Sequence, residues 1–198
     1  MSDEWLIDEP RVRSFVGEVQ RIFREAAPIE QRLAEARPIF HGLLMEDGWL
    51  PDQFARRDEH SGMGEGIGTW LMYRSGEADL GLFSLVVDPG RETPVHDHLC
   101  WGLVGLYRGR QNERVYRRRA DGAAELHEER NLDRGGIYNL IPPEGDIHSV
   151  STVSAEPSIS IHLLGGDIGC IWRHRYDVAA GTVHDFRSGY SNRRCDDE

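Results

Sequence analysis

Two histidines separated by a single residue, His96 and His98, are the strongest chemical signal in the sequence. Side chains two positions apart on a β-strand point to the same face, so both imidazoles would lie together. Pro94, just before the pair, suits the start or the edge of a strand. Two imidazoles on one face supply half of a metal site, and a third ligand has to come from elsewhere in the chain.

His148 is the candidate third ligand. It lies in the stretch GGIYNLIPPEGDIHSVST, in which an apolar run at 137–141 leads into a Pro-Pro-Glu-Gly turn and the histidine begins the next run. Imidazole binds iron, zinc, copper or nickel, so the ligand type does not fix the metal. A closed structural zinc site would need a fourth protein ligand, and none is evident.

The elements that position these histidines are predicted to be β-strands. Short apolar or alternating runs follow one another, separated by turns rich in Gly, Pro and Asp, a pattern typical of an all-β sandwich or barrel. The runs are 69–74, 80–87, 95–107, 112–119, 124–129, 137–141, 147–153, 158–164 and 168–176.

Two amphipathic helices are predicted before the strands. Residues 10–26 carry apolar side chains at helical spacing and begin with a proline, which the first turn tolerates. Residues 28–46 predict a second helix that Pro38 should break or kink. We expect a single domain in which a helical segment, 1–48, packs on one outer side of a β-barrel, 66–178, followed by a tail, 179–198. Val183, Phe186 and Tyr190 could anchor that tail as a strand.

Composition narrows the class of partner. The net charge of −11 argues against nucleic acid, which binds Lys and Arg, and it disfavours anionic membrane surfaces. No apolar run has the length of a membrane span. The three cysteines, Cys100, Cys170 and Cys195, have no CxxC spacing and do not indicate a disulfide framework or a zinc finger. A reducing cytoplasm is the simplest setting, and Cys195 is expected to be a free thiol.

The stretch around the first two histidines resembles the first motif of the cupin superfamily, G-x5-H-x-H-x3/4-E-x6-G. Gly90, His96, His98 and Gly109 fall in place, and Gly102 stands where the motif usually has glutamate. Three imidazoles without a carboxylate would leave a divalent metal its full charge and open positions. Such a site favours an anionic ligand together with a small molecule such as O2.

The stretch around the third histidine resembles the second cupin motif, roughly G-x5-P-x-G-x2-H. Gly136, Pro142, Gly145 and His148 match, with one extra residue between Pro142 and Gly145. The resemblance implies the cupin fold, an all-β double-stranded β-helix or jelly-roll barrel, and a metal bound by the three histidines.

A closer resemblance covers most of the chain. The stretches HDHLCWGLVGLYRG, GDIHSVS, SISIHLLGGDIG, RHRYD and FRSGYSN look like those of the bacterial thiol dioxygenases, the cysteine dioxygenase type I family, and especially its 3-mercaptopropionate dioxygenase branch. The resemblance implies Fe(II) on His96, His98 and His148. It also implies oxidation of a small thiol carboxylic acid, such as 3-mercaptopropionate or cysteine, to its sulfinate with O2.

Further site residues are carried over by position. Ser160 and His162 match the first two members of a Ser-x-His-x-Tyr relay, and Leu164 replaces its tyrosine. Arg173 matches an arginine that pairs with the substrate carboxylate, and a planar guanidinium suits that role. Thr69 stands where a glutamine near the substrate is expected. Leu164 and Thr69 therefore predict an altered or enlarged pocket and leave the identity of the thiol open.

Other interpretations remain open at this stage. The chain also fits a non-catalytic cupin that binds a small acid as a sensor or carrier, and a metal-dependent cupin lyase or ring-cleaving dioxygenase. Ser160 and His162 also fit a buried histidine satisfied by a neighbouring hydroxyl, and Arg173 also fits a surface arginine. The sequence does not determine the oligomeric state or the metal loaded in the cell.

Overall fold

Two six-stranded antiparallel sheets form most of the protein in a computed structural model that describes residues 2–143 and 145–195. The strands are β1 (Glu4–Trp5), β2 (Ile67–Arg74), β3 (Gly81–Val87), β4 (Val95–His96), β5 (Gly102–Arg108), β6 (Gln111–Arg118), β7 (Ala124–Leu132), β8 (Ile137–Leu140), β9 (Ile147–Thr152), β10 (Ser158–Leu164), β11 (Arg173–Asp177) and β12 (Thr182–Phe186). The first sheet has the order β1-β2-β3-β10-β5-β8 and the second the order β12-β11-β4-β9-β6-β7.

The chain crosses repeatedly from one sheet to the other, which gives a β-sandwich of jelly-roll type. The predicted all-β class is confirmed in a coarser form, because the described residues are mostly β with two helices. The predicted barrel is corrected to a sandwich, because the described strands form two separate sheets and not one closed ladder. Strand β10 has both faces buried: Ile159, Ile161 and Leu163 belong to the apolar cluster under the helices, and Leu164 belongs to the cluster between the sheets.

Two helices, α1 (Pro10–Arg24) and α2 (Ile29–Met45), pack outside the first sheet, as predicted. Helix α2 approaches β5 so closely that a Cβ on Gly105 would lie 2.3 Å from Leu44 Cδ1. Pro38 does not break α2, because buried residues on both sides of it, such as Leu33 and Phe40, pack in the same cluster. Neither helix is long and apolar enough to cross a membrane.

The predicted strand at 95–107 is interrupted. The expectation that His96 and His98 lie on one regular strand is therefore wrong. Strand β4 ends at His96, and His98 lies in the turn before β5. The carboxylate of Asp146 accepts the backbone N–H groups of His98 at 3.1 Å and of Leu99 at 3.0 Å, in place of a partner strand. Leu99 has a φ of 58°, which ends the extended backbone.

Residues 187–195, which we call the C-terminal strap, follow the predicted tail strand and lie along β2. Ser191 N–H donates to the Thr69 carbonyl at 2.7 Å, and the Asn192 amide group bonds both backbone groups of Leu71. A disulfide joins Cys195 to Cys170, so the prediction of a free thiol at Cys195 is wrong. The sequence spacing of 25 residues gave no sign of this pair, because docking of the strap brings the two cysteines together.

Candidate metal centre

Three buried imidazoles converge between the two sheets. His96 at the end of β4 is paired in register with His148 on β9, and the turn after β4 brings His98 beside them. The ring centroids lie 4.8 to 4.9 Å apart, and one nitrogen of each ring lies within 4.8 Å of the others. Each residue is at most 3% exposed. The structure therefore brings the three predicted ligands together.

The outward nitrogen of each imidazole already has an acceptor. Nδ1 lies 2.8 Å from the Pro94 carbonyl in His96, 3.2 Å from the Asp146 carbonyl in His98 and 3.0 Å from Glu113 Oε1 in His148. These acceptors place the proton on Nδ1, which leaves the Nε2 lone pairs for a ligand. The Nε2 atom of His148 is buried without a hydrogen-bond partner among the described residues. The donor set therefore fits a divalent transition metal.

The surroundings keep His96 and His98 neutral, which is the form that binds a metal. Burial holds the pKa of His96 well below its usual value, and the positive charge of Arg173 adds to the effect. Burial also lowers the pKa of His98, against the hydrogen bond with Asp146 that raises it. These two histidines therefore need not release a proton before a metal binds at neutral pH.

A small cavity adjoins the histidine cluster. Its apolar wall is formed by Met63, Phe83, Leu85 and Ile168. Its polar wall consists of His96, His98, His162, Thr69, Arg173 and Ser188. Every one of these lining residues is buried, so the cavity is small and enclosed by side chains.

Arg173 places a positive charge in the wall of this cavity. It is 3% exposed; Nη1 donates to the Asp97 carbonyl and Nη2 to Ser188 Oγ, both at 2.8 Å. The guanidinium lies 4.6 Å from the Phe186 ring, and Nε has no hydrogen-bond partner in the described part of the chain. Burial lowers the pKa of Arg173 to about 10, so it stays charged at neutral pH. A buried cation without a carboxylate partner favours an anionic ligand.

Ser160 and His162 lie on the cavity side of β10, as the alternation along this strand predicted. Ser160 Oγ lies 3.0 Å from His162 Nε2, and the Gln111 amide donates to Ser160 Oγ at 3.5 Å. The hydroxyl proton can then be donated to Nε2, which places the ring proton on Nδ1. That Nδ1 is buried with no hydrogen-bond partner among the described residues. Burial holds the pKa of His162 well below its usual value, so the ring is neutral.

The two positions that depart from the resembled family lie in different places. Thr69 lines the cavity, and its Oγ1 has no hydrogen-bond partner within residues 2–143 and 145–195. Leu164 is fully buried in the apolar cluster between the sheets and is not part of the cavity lining. Thr69 can therefore contact a ligand directly, whereas Leu164 would act on the site through its neighbours.

Several residues that hold the site were missed at the level of sequence. Glu113 and Asp146 are buried carboxylates behind His148 and His98, and Tyr138 OH lies 3.4 Å from His148 Nδ1. Asp97, between the first two histidines, bonds His174 and Tyr176 through its carboxylate. The one available signal for Glu113 was its position two residues from Gln111 and Val115, a spacing that places all three on one strand face.

No protein-family model matches the chain. Among solved structures, a double-stranded β-helix protein from Klebsiella pneumoniae subsp. pneumoniae MGH 78578 is 16% identical, with a match covering 63% of this chain and 94% of the other and a TM-score of 0.44. The Cnp3 cupin domain of Schizosaccharomyces pombe is 11% identical, with coverages of 61% and 74% and a TM-score of 0.43. An RmlC-like cupin from Methanocaldococcus jannaschii is 11% identical, with coverages of 50% and 80% and a TM-score of 0.40.

Proposed function

We propose that the protein is a non-haem Fe(II)-dependent thiol dioxygenase that converts a small thiol carboxylate to its sulfinate with O2. One observation carries the proposal: the buried, carboxylate-free guanidinium of Arg173 lines the same small cavity as the converging histidines. A cation at one end and a metal site at the other suit a short molecule with a carboxylate at one end and a thiol at the other.

The side chains of the cavity have distinct roles in this proposal. His96, His98 and His148 would hold Fe(II), which would supply the position at which a thiol and O2 react. Arg173 binds the substrate carboxylate with the N–H groups that no protein atom uses, and so fixes the direction of the thiol. Thr69 Oγ1 lies in the same wall and donates a second hydrogen bond to that carboxylate.

His162 is the residue that would orient O2 in the cavity. Its neutral ring offers the Nδ1 proton to a polar atom in the cavity, while Ser160 fixes the ring through Nε2. The stacked ring of Phe83, 4.6 Å away between centroids, prevents the imidazole from turning. The surrounding apolar wall limits the entry of water, which strengthens each of these polar contacts.

The test is oxygen consumption by Fe(II)-loaded protein with four thiols: 3-mercaptopropionate, cysteine, mercaptosuccinate and cysteamine. At least one carboxylate-bearing thiol should consume O2 and yield an equal amount of sulfinate, measured by mass spectrometry. Cysteamine, which lacks the carboxylate, should react much more slowly. If none of the four consumes O2 with protein whose iron content has been verified, the proposal is wrong.

A metal-binding cupin without turnover is the second candidate, and the burial of Leu164 favours it. A leucine in the apolar cluster cannot donate the hydrogen bond of the tyrosine expected there. A sensor or carrier would bind 3-mercaptopropionate in a titration without consuming O2. A cupin with another reaction, such as a lyase or ring-cleaving dioxygenase, would neither bind nor oxidise the four thiols.

A further inference from the structure

The three histidines of the metal centre differ in the group that accepts a hydrogen bond from Nδ1. In His96 and His98 the acceptor is a backbone carbonyl, which is neutral. In His148 the acceptor is the carboxylate of Glu113, whose Oε1 lies 3.0 Å from Nδ1. Glu113 is therefore the carboxylate in direct contact with the outward nitrogen of a ligand imidazole. His98 also has a carboxylate nearby, Asp146, but at a longer 3.5 Å and already bonded to two backbone N–H groups.

The charge of Glu113 is fixed in place. Its side chain is 1% exposed, and Oε2 accepts from Arg130 Nε at 2.6 Å. The Arg130 guanidinium lies 5.0 Å from the ring of Tyr138, whose hydroxyl is also near His148 Nδ1. Because Arg130 is 37% exposed, solvent screens its positive charge, whereas the buried carboxylate is screened far less. Part of the negative charge therefore remains to act on His148.

The usual position for a carboxylate in the metal site holds Gly102 in this chain. A Cβ on Gly102 would lie 2.1 Å from Leu164 Cδ2, so a glutamate there would require the Leu164 side chain to shift. A metal held by three neutral imidazoles would otherwise keep its whole positive charge inside an apolar sandwich. Such a charge is costly to bury unless a counter-charge is close.

We propose that Glu113 is the charge-balancing residue of the metal centre and acts through His148. By accepting a hydrogen bond from Nδ1–H while it stays ionised, Glu113 gives this imidazole partial imidazolate character and makes it the strongest donor of the three. The inference rests on the proposed metal site and deepens the proposed function. Glu113 is a positioning residue in this role, because it does not touch the metal. It should raise the affinity of the site for the metal and stabilise the higher oxidation state of the metal.

The first test is Glu113→Gln, which keeps the size and an acceptor oxygen and removes the charge. Affinity for Co(II) and Fe(II), measured by competition with a chelator, should fall by about 10- to 100-fold. The Fe(III)/Fe(II) midpoint potential should become more positive. Glu129→Gln, an exposed change on the neighbouring β7, is the matched control. Equal affinity and potential in the two variants would overturn the proposal.

A second variant keeps the test decisive if Glu113→Gln fails to fold. Arg130→Met removes the partly exposed cation that neutralises Glu113, and so should shift the midpoint potential in the opposite, more negative direction. A purely structural network would not give shifts of opposite sign. A positive or absent shift in Arg130→Met contradicts the proposal. These readouts use metal binding and potential, so they stand even if the protein oxidises no thiol.

Discussion

Leu164 occupies the space that any side chain at residue 102 would need. The two residues are paired in register on β10 and β5, and a Cβ on Gly102 would lie 2.1 Å from Leu164 Cδ2. The two departures from the resembled motifs, glycine for glutamate and leucine for tyrosine, are therefore one packing unit. A larger side chain at position 102 should therefore be opposed by steric overlap with Leu164 before any chemical effect appears.

Gly102→Ala tests this packing unit. The added methyl group should lower the free energy of unfolding by about 1–3 kcal/mol, because the buried leucine must shift. Leu164→Ala alone leaves a cavity and should cost about 2–5 kcal/mol. In the Leu164→Ala background, Gly102→Ala should lower the free energy of unfolding much less than it does in the parent protein. Urea unfolding of the four proteins measures this difference. Strictly additive effects would show that the two side chains do not compete for the same space.

Removing a metal ligand should abolish stoichiometric metal binding. His96→Ala deletes one of the three converging donors. We expect metal affinity to fall by more than about 100-fold, which exceeds the loss caused by removing a residue that only hydrogen-bonds a metal ligand. The measurement is metal content after dialysis against a weak chelator. His127→Ala, an exposed histidine on β7, is the control and should keep the parent's metal content. One equivalent of metal retained by His96→Ala would refute the assignment.

Arg173→Met should remove binding of the anionic ligand. The variant keeps most of the length of the side chain and its packing on the Phe186 ring of β12, but loses the charge. Loss of a buried charged partner should weaken 3-mercaptopropionate binding by about 2–5 kcal/mol. Titration calorimetry of the metal-loaded protein measures this change. Arg175→Met, an exposed arginine on the same strand, should bind like the parent, and an unaffected Arg173→Met would contradict the assigned role.

The metal-free protein should lose stability as the pH falls below about 6.5, the usual pKa of histidine. Burial lowers the pKa values of His96, His98 and His162 in the folded state. Below pH 6.5 the unfolded chain binds protons at these positions and the folded chain does not, so protons favour unfolding. Each histidine contributes up to about 1.4 kcal/mol per pH unit.

Urea unfolding of the metal-free protein at pH 7.5, 6.5 and 5.5 measures this dependence. His162→Phe should reduce the slope, because one buried imidazole is removed while the ring that stacks on Phe83 is kept. A free energy of unfolding that does not change over this range would contradict the neutral state inferred for the cluster.

Reduction of the disulfide should loosen the C-terminal strap. For a separation of 25 residues, the loss of the Cys170–Cys195 crosslink should lower the free energy of unfolding by about 3 kcal/mol. Hydrogen exchange should rise at Ser191 and its neighbours, which bond to β2. Cys195→Ser should resemble the reduced parent and should not respond to reductant. A parent protein with the same melting temperature with and without reductant would contradict this prediction.

The histidine cluster and most strands could be predicted because their signals are local. The spacing around His96 and His148 and the apolar alternation of each strand are properties of short segments. The break in the strand after His96 could not be predicted, because it depends on Asp146, which lies 48 residues beyond His98 in the chain. The contact of Glu113 with His148 could not be predicted either, because it depends on the pairing of β6 with β9. In that pairing Val115, two residues after Glu113 and on the same face, lies opposite His148.

The first sheet separates the protein into two apolar layers, one under the helices and one around the cavity. Phe40 of α2 packs with Ile161 on the outer side, while Phe83 and Leu85 face the cavity on the inner side. All described residues that line the cavity lie at position 63 or later in the chain. Substitutions in α1 or α2 should therefore combine additively with substitutions in the cavity. The helices offer a place to raise thermal resistance by protein engineering while the ligand preference of the site is altered separately.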